Sequence, residues 1–265
     1  MNKSKYLIAC ILTLILFSGC QYKVSDAGSN NSDNLNVKYG LPSTNGKLIY
    51  RTGYALLHDK EKKEPLWVSY HLTANELNSP QIKRSNKFAP DPELLPGERA
   101  ELNDYKNSGY DRGHMCPNAD QSYSVITMKE CFYLSNMCPQ LHSLNAGKWG
   151  SLESKVRAFT KKQGEVLVVC GPVFDKVRSN INTIGDNKVW IPSGFFKVVI
   201  YNTEEGTKAI GYEMPHKNLT EELKKYIVKI RDIESETGLN FMNKLPQSEQ
   251  DKLEMIVPVS PEMLN

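Results

Sequence analysis

The stretch Tyr110-Asp111-Arg112-Gly113-His114-Met115-Cys116-Pro117 carries the strongest chemical pattern in this sequence. Two further stretches follow it, FYLSNMCPQ at residues 132–140 and LNAGKWGSLE at residues 144–153. Their apolar and aromatic content predicts short strands at 110–116 and 132–136, and a helix over 147–163. A strand, a strand and a helix would therefore bring histidine, asparagine, glutamate and arginine side chains into one small unit.

The predicted helix has one apolar stripe and one charged shoulder. The stripe has helical spacing and consists of Trp149, Leu152, Val156 and Phe159. Glu153 and Arg157 are four residues apart on its shoulder, so they project together. Asn145 precedes the helix, where its side chain can cap the helix or bind a ligand.

Each of these residues also has an ordinary structural explanation. A single buried histidine is more often structural than catalytic, an asparagine before a helix is usually a cap, and a glutamate–arginine pair is usually a surface ion pair. The occurrence of all of them in one fixed order favours a functional site.

The three stretches resemble the DNA/RNA non-specific endonuclease family, which consists of ββα-metal (His-Me finger) nucleases related to endonuclease G. The family pattern is Asp-Arg-Gly-His, then Ser-Asn-x-x-Pro-Gln, then Asn-x-x-x-Trp-x-x-Leu-Glu with an arginine after it, and all three parts occur here in order. The match is tight over residues 110–157 and looser over about 50–215, with Arg84 and Asp91-Pro92 resembling an upstream block. The resemblance implies a ββα-metal motif.

The same resemblance implies a metal-dependent endonuclease that hydrolyses phosphodiester bonds in DNA and RNA without sequence specificity. His114 would be the general base, because an imidazole titrates near neutrality. Asn145 would be the direct protein ligand of Mg²⁺, with Mn²⁺ able to substitute, because hard ions prefer oxygen ligands. Glu153 would act through a water molecule in the metal's shell.

By the same resemblance, three arginines would contact phosphate, for which guanidinium geometry is favourable; they are Arg84, Arg112 and Arg157. Asn136 would help to position the site and bind the nucleic acid, and Asp111 would support the first strand. Contacts that reach only the sugar-phosphate backbone of the nucleic acid do not read the bases. We therefore expect cleavage to show little preference for nucleotide sequence.

The rest of the chain predicts an α+β domain with a central, mostly antiparallel sheet flanked by helices. The predicted strands lie at 48–57, 66–73, 165–169, 189–191, 195–201 and 208–214, and the other predicted helices at 219–236 and 246–255. Residues 85–98 contain three prolines and a glycine, which predicts a loop.

The N-terminus predicts export. Lys3 and Lys5 precede an apolar run that is too short for a settled transmembrane helix, which is typical of a signal peptide over residues 1–19. Ser18-Gly19-Cys20 resembles a bacterial lipoprotein junction with Cys20 as the lipidation site, although Phe17 departs from the usual aliphatic residue; an ordinary signal peptide is the alternative. The expected product is a cell-envelope lipoprotein held to a membrane by a lipid anchor, or alternatively a secreted protein. Residues 20–36 would form a flexible tether, and 37–265 the nuclease domain.

Charge and cysteine content leave some alternatives open. The net charge of +3 is too small for nucleic-acid binding through bulk charge, so a local basic cluster is required. Disulfide pairing among the four remaining cysteines, Cys116, Cys131, Cys138 and Cys170, is open. Three other functions are weaker alternatives: a non-catalytic nucleic-acid-binding lipoprotein, a Cys-His hydrolase using one of these thiols with His114 or His142, and a zinc enzyme using both histidines.

Overall fold

A seven-stranded antiparallel sheet lies at the centre of the computed structural model, which describes residues 34–258 and 262–264. In the order of pairing, its strands are β1 (Lys47–Tyr50), β2 (Ala55–Asp59), β3 (Glu64–Thr73), β6 (Glu165–Val173), β9 (Gly194–Thr203), β10 (Gly206–Pro215) and β11 (Ile227–Val228). All six neighbouring pairs are antiparallel. The predicted α+β class with a mostly antiparallel central sheet is confirmed.

Two separate two-stranded antiparallel sheets and six α-helices complete the described fold. The pairs are β4 (Asp111–His114) with β5 (Met137–Gln140), and β7 (Thr183–Ile184) with β8 (Val189–Trp190). The α-helices of the described residues are α1 (Ala74–Asn78), α2 (Leu102–Tyr105), α3 (Val125–Glu130), α4 (Gly150–Gln163), α5 (Ile230–Thr237) and α6 (Gln247–Glu254). None of these helices is long and apolar enough to cross a membrane.

Helix α4 covers one face of the sheet with the predicted apolar stripe. Its four members, Trp149, Leu152, Val156 and Phe159, are all buried. They share a core with alternate residues of β6, among them Val166 and Val168, because successive side chains of a strand point to opposite faces. Helix α4 therefore packs directly against this face of the sheet.

The opposite face of the sheet has its own core. Leu167 and Val169 of β6 pack there with Ile230 and Ile233 of α5 and with Phe241. Because both faces of the central strands are covered, β6 is apolar almost throughout, as its sequence EVLVVCGPV indicates. This second core lies on the other side of the sheet from the candidate site.

Three predicted elements differ from the structure. The strand predicted at 48–57 is the hairpin β1–β2, whose turn is closed by Arg51 N donating to Tyr54 O at 2.8 Å. Residues 134–136 form a 3₁₀ turn rather than part of a strand, and pairing starts at Met137. The helix predicted at 219–236 is α-helical only from Ile230 as α5, because Leu223–Tyr226 forms a 3₁₀ turn and residues 227 and 228 pair with β10.

Ordered contacts begin before the predicted domain boundary at residue 37. The Asn34 side chain caps a 3₁₀ turn at Leu35–Val37. Asn36 is nearly buried and its Oδ1 accepts a hydrogen bond from the backbone N–H of His71 at 2.9 Å. The folded part thus includes residues 34–36, which the sequence assigns to the tether. The predicted signal peptide and Cys20 lie outside the described residues.

Candidate active site

The strands β4 and β5 and the helix α4 form the predicted ββα unit. Asp111 lies opposite Gln140 and His114 lies opposite Met137 in the antiparallel pair. A Cβ atom at Gly113 would lie 2.3 Å from Oε1 of Gln140, a distance that real Cβ atoms do not tolerate. The absence of a side chain at Gly113 therefore leaves room for the Gln140 side chain of β5 to pack against β4.

His114 lies at the end of β4 in an aromatic pocket. Its ring is 5.6 Å from the ring of Phe88 and 5.1 Å from that of Phe132, and its Nε2 atom is buried without a hydrogen-bond partner among the described residues. Burial lowers the pKa of His114 to about 3, and the positive charges of Arg84 and Arg112 act in the same direction. The imidazole is therefore neutral at physiological pH, which is the form that can accept a proton.

Asn145 lies in an irregular turn before α4. The turn is a π-helical segment at Leu144–Trp149, interrupted at Gly147, and such segments are frequent at functional sites. Asn145 Nδ2 donates to Asp111 Oδ2 at 2.9 Å. Asn145 is not the N-cap residue of the irregular segment, and it is not the N-cap residue of α4. Its side chain is thus fixed across the unit to β4 and is not a helix cap.

A cavity of about 270 Å³ opens beside Asn145 and Asp111. Its other lining residues are Arg84, Phe88, Tyr105, Tyr110, Arg112 and His142. The described residues contain no group of three or more histidine, cysteine, aspartate or glutamate side chains arranged to hold a metal. One amide oxygen beside a polar cavity fits a hard, hydrated ion such as Mg²⁺, and it does not fit the closed nitrogen and sulfur shell of a structural zinc site.

A buried charged cluster lies behind Glu153. Arg157 Nη1 donates to Oδ1 of the buried Asp120 at 2.9 Å, and the Lys197 ammonium lies 4.4 Å from the centroid of the Trp149 ring. Burial raises the pKa of Glu153 to about 7, while the charge of Lys197 opposes the rise. The ordinary interpretation, a surface ion pair between Glu153 and Arg157, does not describe this arrangement.

Asp120 and Lys197 are absent from the sequence-based site. Lys197 had a usable signal, because it is a single charged residue within the apolar run GFFKVVIY of β9, and lysine is rarely fully buried. Its Nζ atom is buried beside the thiol of Cys170. Asp120 had no comparable signal, since its 3₁₀ turn at Asn118–Asp120 is not predictable from periodicity.

The two arginines nearest the cavity lie on aromatic rings. Arg112 lies 4.2 Å from the centroid of the Phe88 ring, and Arg84 lies 5.2 Å from that of Phe132. Arg84 also donates to Asn118 Oδ1 at 3.0 Å. These contacts hold two cations at the cavity beside the neutral His114.

Asn136 is fully buried, and its side chain forms hydrogen bonds with backbone groups that a neighbouring strand would otherwise pair. Its Oδ1 accepts from Cys116 N, and its Nδ2 donates to Cys116 O and Cys131 O, all at 2.9 Å. This geometry agrees with a positioning function. The side chain has no exposed surface with which to contact a nucleic acid directly.

The four described cysteines are buried, free thiols. Burial raises the pKa of Cys131 to about 12 and that of Cys170 to about 11, and raises the pKa values of Cys116 and Cys138 well above their usual range. A thiol nucleophile must be a thiolate, so the Cys-His hydrolase alternative is not supported.

Comparison with known proteins shows which family this chain resembles. The family model for DNA/RNA non-specific endonuclease matches residues 32–248. The chain is 33% identical to the mitochondrial nuclease of Saccharomyces cerevisiae, with 82% of this chain and 71% of that protein covered. It is 34% identical to human mitochondrial endonuclease G, with 78% and 72% covered.

A solved structure shows the same fold. The crystal structure of the EndoG/EndoGI complex contains a chain that matches with a TM-score of 0.75 and 30% identity, covering 80% of this chain and 91% of that one. Nuclease C1 of Cunninghamella echinulata is 33% identical over 83% of this chain and 92% of its own. The likeness thus extends over nearly the whole described part of the chain.

These relatives also correct the predicted location. Several of them are named mitochondrial nucleases of eukaryotes, among them the yeast and human proteins and the EXOG nuclease of Xenopus laevis. The prediction of an exported bacterial cell-envelope lipoprotein is therefore wrong, and neither a lipid anchor nor a signal peptide is supported. The family assignment itself is unaffected: the chain belongs to the DNA/RNA non-specific endonuclease family of metal-dependent nucleases, and it is a nuclease.

Proposed function

We propose that this nuclease hydrolyses DNA and RNA without sequence preference, with His114 as the general base and Mg²⁺ held by Asn145. The observation that carries the proposal is a cavity lined by Asn145 and by Arg84 and Arg112, the two arginines whose charges also act on the buried His114. Asn145 is tied to Asp111 there at 2.9 Å.

His114 takes the proton of the attacking water. The water oxygen bonds to phosphorus, its proton passes to the neutral imidazole, and the bond from phosphorus to the departing 3′ oxygen breaks. The low pKa of His114 keeps the ring neutral in the free enzyme. A bound phosphate would partly neutralise Arg84 and Arg112, which raises the basicity of His114 at the moment when it is needed.

Asn145 and Glu153 are the residues that would hold the metal. Because Asn145 Nδ2 donates to Asp111, the amide oxygen of Asn145 is available to bind a ligand, and an amide oxygen suits a hard ion. Glu153 lies in the first turn of α4 and would act through a water molecule in the metal's shell. When bound, Mg²⁺ stabilises negative charge on the phosphoryl group and the departing oxygen.

The arginines bind and orient the scissile phosphate. Arg84 and Arg112 lie at the cavity on their aromatic supports, and Arg157 adds positive charge from α4, where Asp120 anchors it. Phosphate contacts of this kind hold the nucleic-acid backbone and carry no sequence information. They also neither require nor exclude a 2′-hydroxyl, so both DNA and RNA are substrates.

The test is a digestion assay on supercoiled plasmid and on RNA. We expect both to be cleaved with Mg²⁺ present, and cleavage to cease with EDTA. His114→Ala should lower the rate by about 10² to 10⁴-fold with the fold intact. His71→Ala is the matched control, because His71 lies on β3 and contacts Glu165 rather than the cavity. Near-normal turnover by folded His114→Ala protein would reject the proposal.

A further inference from the structure

His216 lies at the end of β10 and joins three separate parts of the fold. Its ring lies 5.7 Å from the ring of Tyr110, just before β4, and 5.1 Å from that of Phe195 on β9. Its two ring nitrogens contact two backbone groups, one on each side. This histidine has no part in the sequence-based site.

The two backbone partners fix the protonation state of the ring. Leu141 N donates to His216 Nε2 at 2.8 Å, and His216 Nδ1 lies 2.7 Å from Pro192 O. An N–H group needs an acceptor and a carbonyl needs a donor, so Nδ1 carries the hydrogen and Nε2 is unprotonated. Burial also lowers the pKa of His216, which favours this neutral form.

The Leu141 peptide leads directly to the proposed metal ligand. Leu141 O accepts from Asn145 N at 2.9 Å and from Leu144 N at 3.0 Å, so this peptide anchors the irregular turn before α4. A chain of hydrogen bonds therefore runs from Pro192 through His216 and Leu141 to the backbone of Asn145.

We infer that His216 is a positioning residue for the nuclease reaction, which sets the place of the Asn145 turn through the Leu141 peptide. The inference rests on the proposed function of Asn145. The rings of Tyr110 and Phe195 hold the His216 ring in place, and the His216 ring holds the Leu141 peptide through its hydrogen bond. Because the turn is irregular at Gly147, it lacks the full hydrogen-bond ladder that would hold a regular helix start in place.

A pair of variants separates the hydrogen bonds from the packing. His216→Phe keeps an aromatic ring against Tyr110 and Phe195 but removes both polar atoms. His216→Gln keeps an acceptor and a donor on one side chain. We expect the Phe variant to need about tenfold more Mg²⁺ for half-maximal cleavage, as other residues that orient metal ligands do, and the Gln variant to recover part of the loss.

The control for stability is Ile233→Val, in the core on the opposite face of the sheet. This change should lower the melting temperature without altering the Mg²⁺ requirement. If His216→Phe also lowers only the melting temperature, His216 is merely structural and the inference fails.

The double variant with Asn145→Ala distinguishes this inference from the proposed function. If His216 acts through Asn145, the two changes should not add in their effect on the cleavage rate measured at one fixed Mg²⁺ concentration. Full additivity would overturn the inference. An unaltered Mg²⁺ requirement in Asn145→Ala alone would instead overturn the metal assignment on which the inference rests.

Discussion

Asn145 Nδ2 donates a 2.9 Å hydrogen bond to Oδ2 of Asp111, a residue 34 positions earlier in the chain. A carboxylate accepts hydrogen bonds and does not donate them, so the NH₂ edge of the amide must face Asp111. The oxygen edge of Asn145 is thereby turned away from Asp111. Asp111 thus has a more definite function than the support of β4 that the sequence suggests.

Asp111→Ala should raise the Mg²⁺ concentration needed for half-maximal cleavage by about 10 to 100-fold, because the amide loses the partner that orients it. Asp111→Asn keeps a hydrogen-bond acceptor, so its Mg²⁺ requirement should lie between those of Asp111→Ala and the wild type. His142→Ala is the control, since the exposed His142 shares Asp111 Oδ2 at 2.9 Å without orienting Asn145. If His142→Ala raises the Mg²⁺ requirement equally, the contact between His142 and Asp111, and not the contact between Asp111 and the Asn145 amide, determines metal binding.

The pH dependence of cleavage should report Glu153 rather than His114. His114, with a pKa of about 3, stays neutral across the usual assay range, whereas Glu153, with a pKa of about 7, is protonated below neutrality. Only the charged carboxylate serves the site, so the rate should rise with pH through about 7. Glu153→Gln should be slow and should lack this rise; a rise that persists in the variant would assign it to another group.

Lys197 should control where that rise occurs. Its charge lowers the pKa of Glu153, so Lys197→Met should shift the rise to higher pH and lower the rate at pH 7. Because Met replaces a buried ammonium of similar length, the melting temperature should be unchanged or higher. The pH profile and melting curve together test this, and a profile that coincides with that of the wild type would exclude an electrostatic function.

Asp91 should be required for the stability of the fold. Its carboxylate is fully buried, pairs with Arg51 Nη2 at 2.6 Å, and accepts hydrogen bonds from the side chain of Ser135 and the backbone of Glu93. Asp91→Ala leaves the guanidinium of Arg51 without this partner and should cost about 3 kcal/mol of unfolding free energy in urea titration. Glu93→Ala, which removes the more exposed partner of Arg51, should cost less than about 1 kcal/mol. Equal costs would contradict this account.

The structure around the candidate site was predictable where the signal in the sequence is local, and it was not predictable where the arrangement depends on packing. Helix α4 and its stripe follow from spacing, and His114 and Asn145 follow from motifs that occupy adjacent elements. The 3₁₀ turn at Leu134–Asn136 was predicted as a strand, because an apolar run does not reveal that Asn136 satisfies the backbone with its side chain.

Contacts over long sequence separations were beyond the sequence patterns. The bond between Asp111 and Asn145 depends on the register of β4 and β5 and on an irregular turn. Lys197 reaches Glu153 only because β9 lies beneath α4 in the assembled sheet. The helix predicted at 219–236 begins at Ile230, since sheet pairing at β11 overrides local helical propensity.

Asn145 is the proposed ligand of the catalytic metal. Asn145→Ala should cleave severely more slowly, and its melting temperature should stay close to that of the wild type, because the side chain caps no helix. Asn145→Asp keeps an oxygen and adds a negative charge, which should strengthen Mg²⁺ binding in the free enzyme.

The most direct measurement is cleavage rate against Mg²⁺ concentration for the wild type and these two variants, starting from EDTA-treated protein. We predict that the wild type regains activity with Mg²⁺ or Mn²⁺, that Asn145→Ala regains little at any concentration, and that the half-saturation point of Asn145→Asp moves to lower Mg²⁺. Identical Mg²⁺ curves for all three proteins would show that the metal binds elsewhere and would contradict the account.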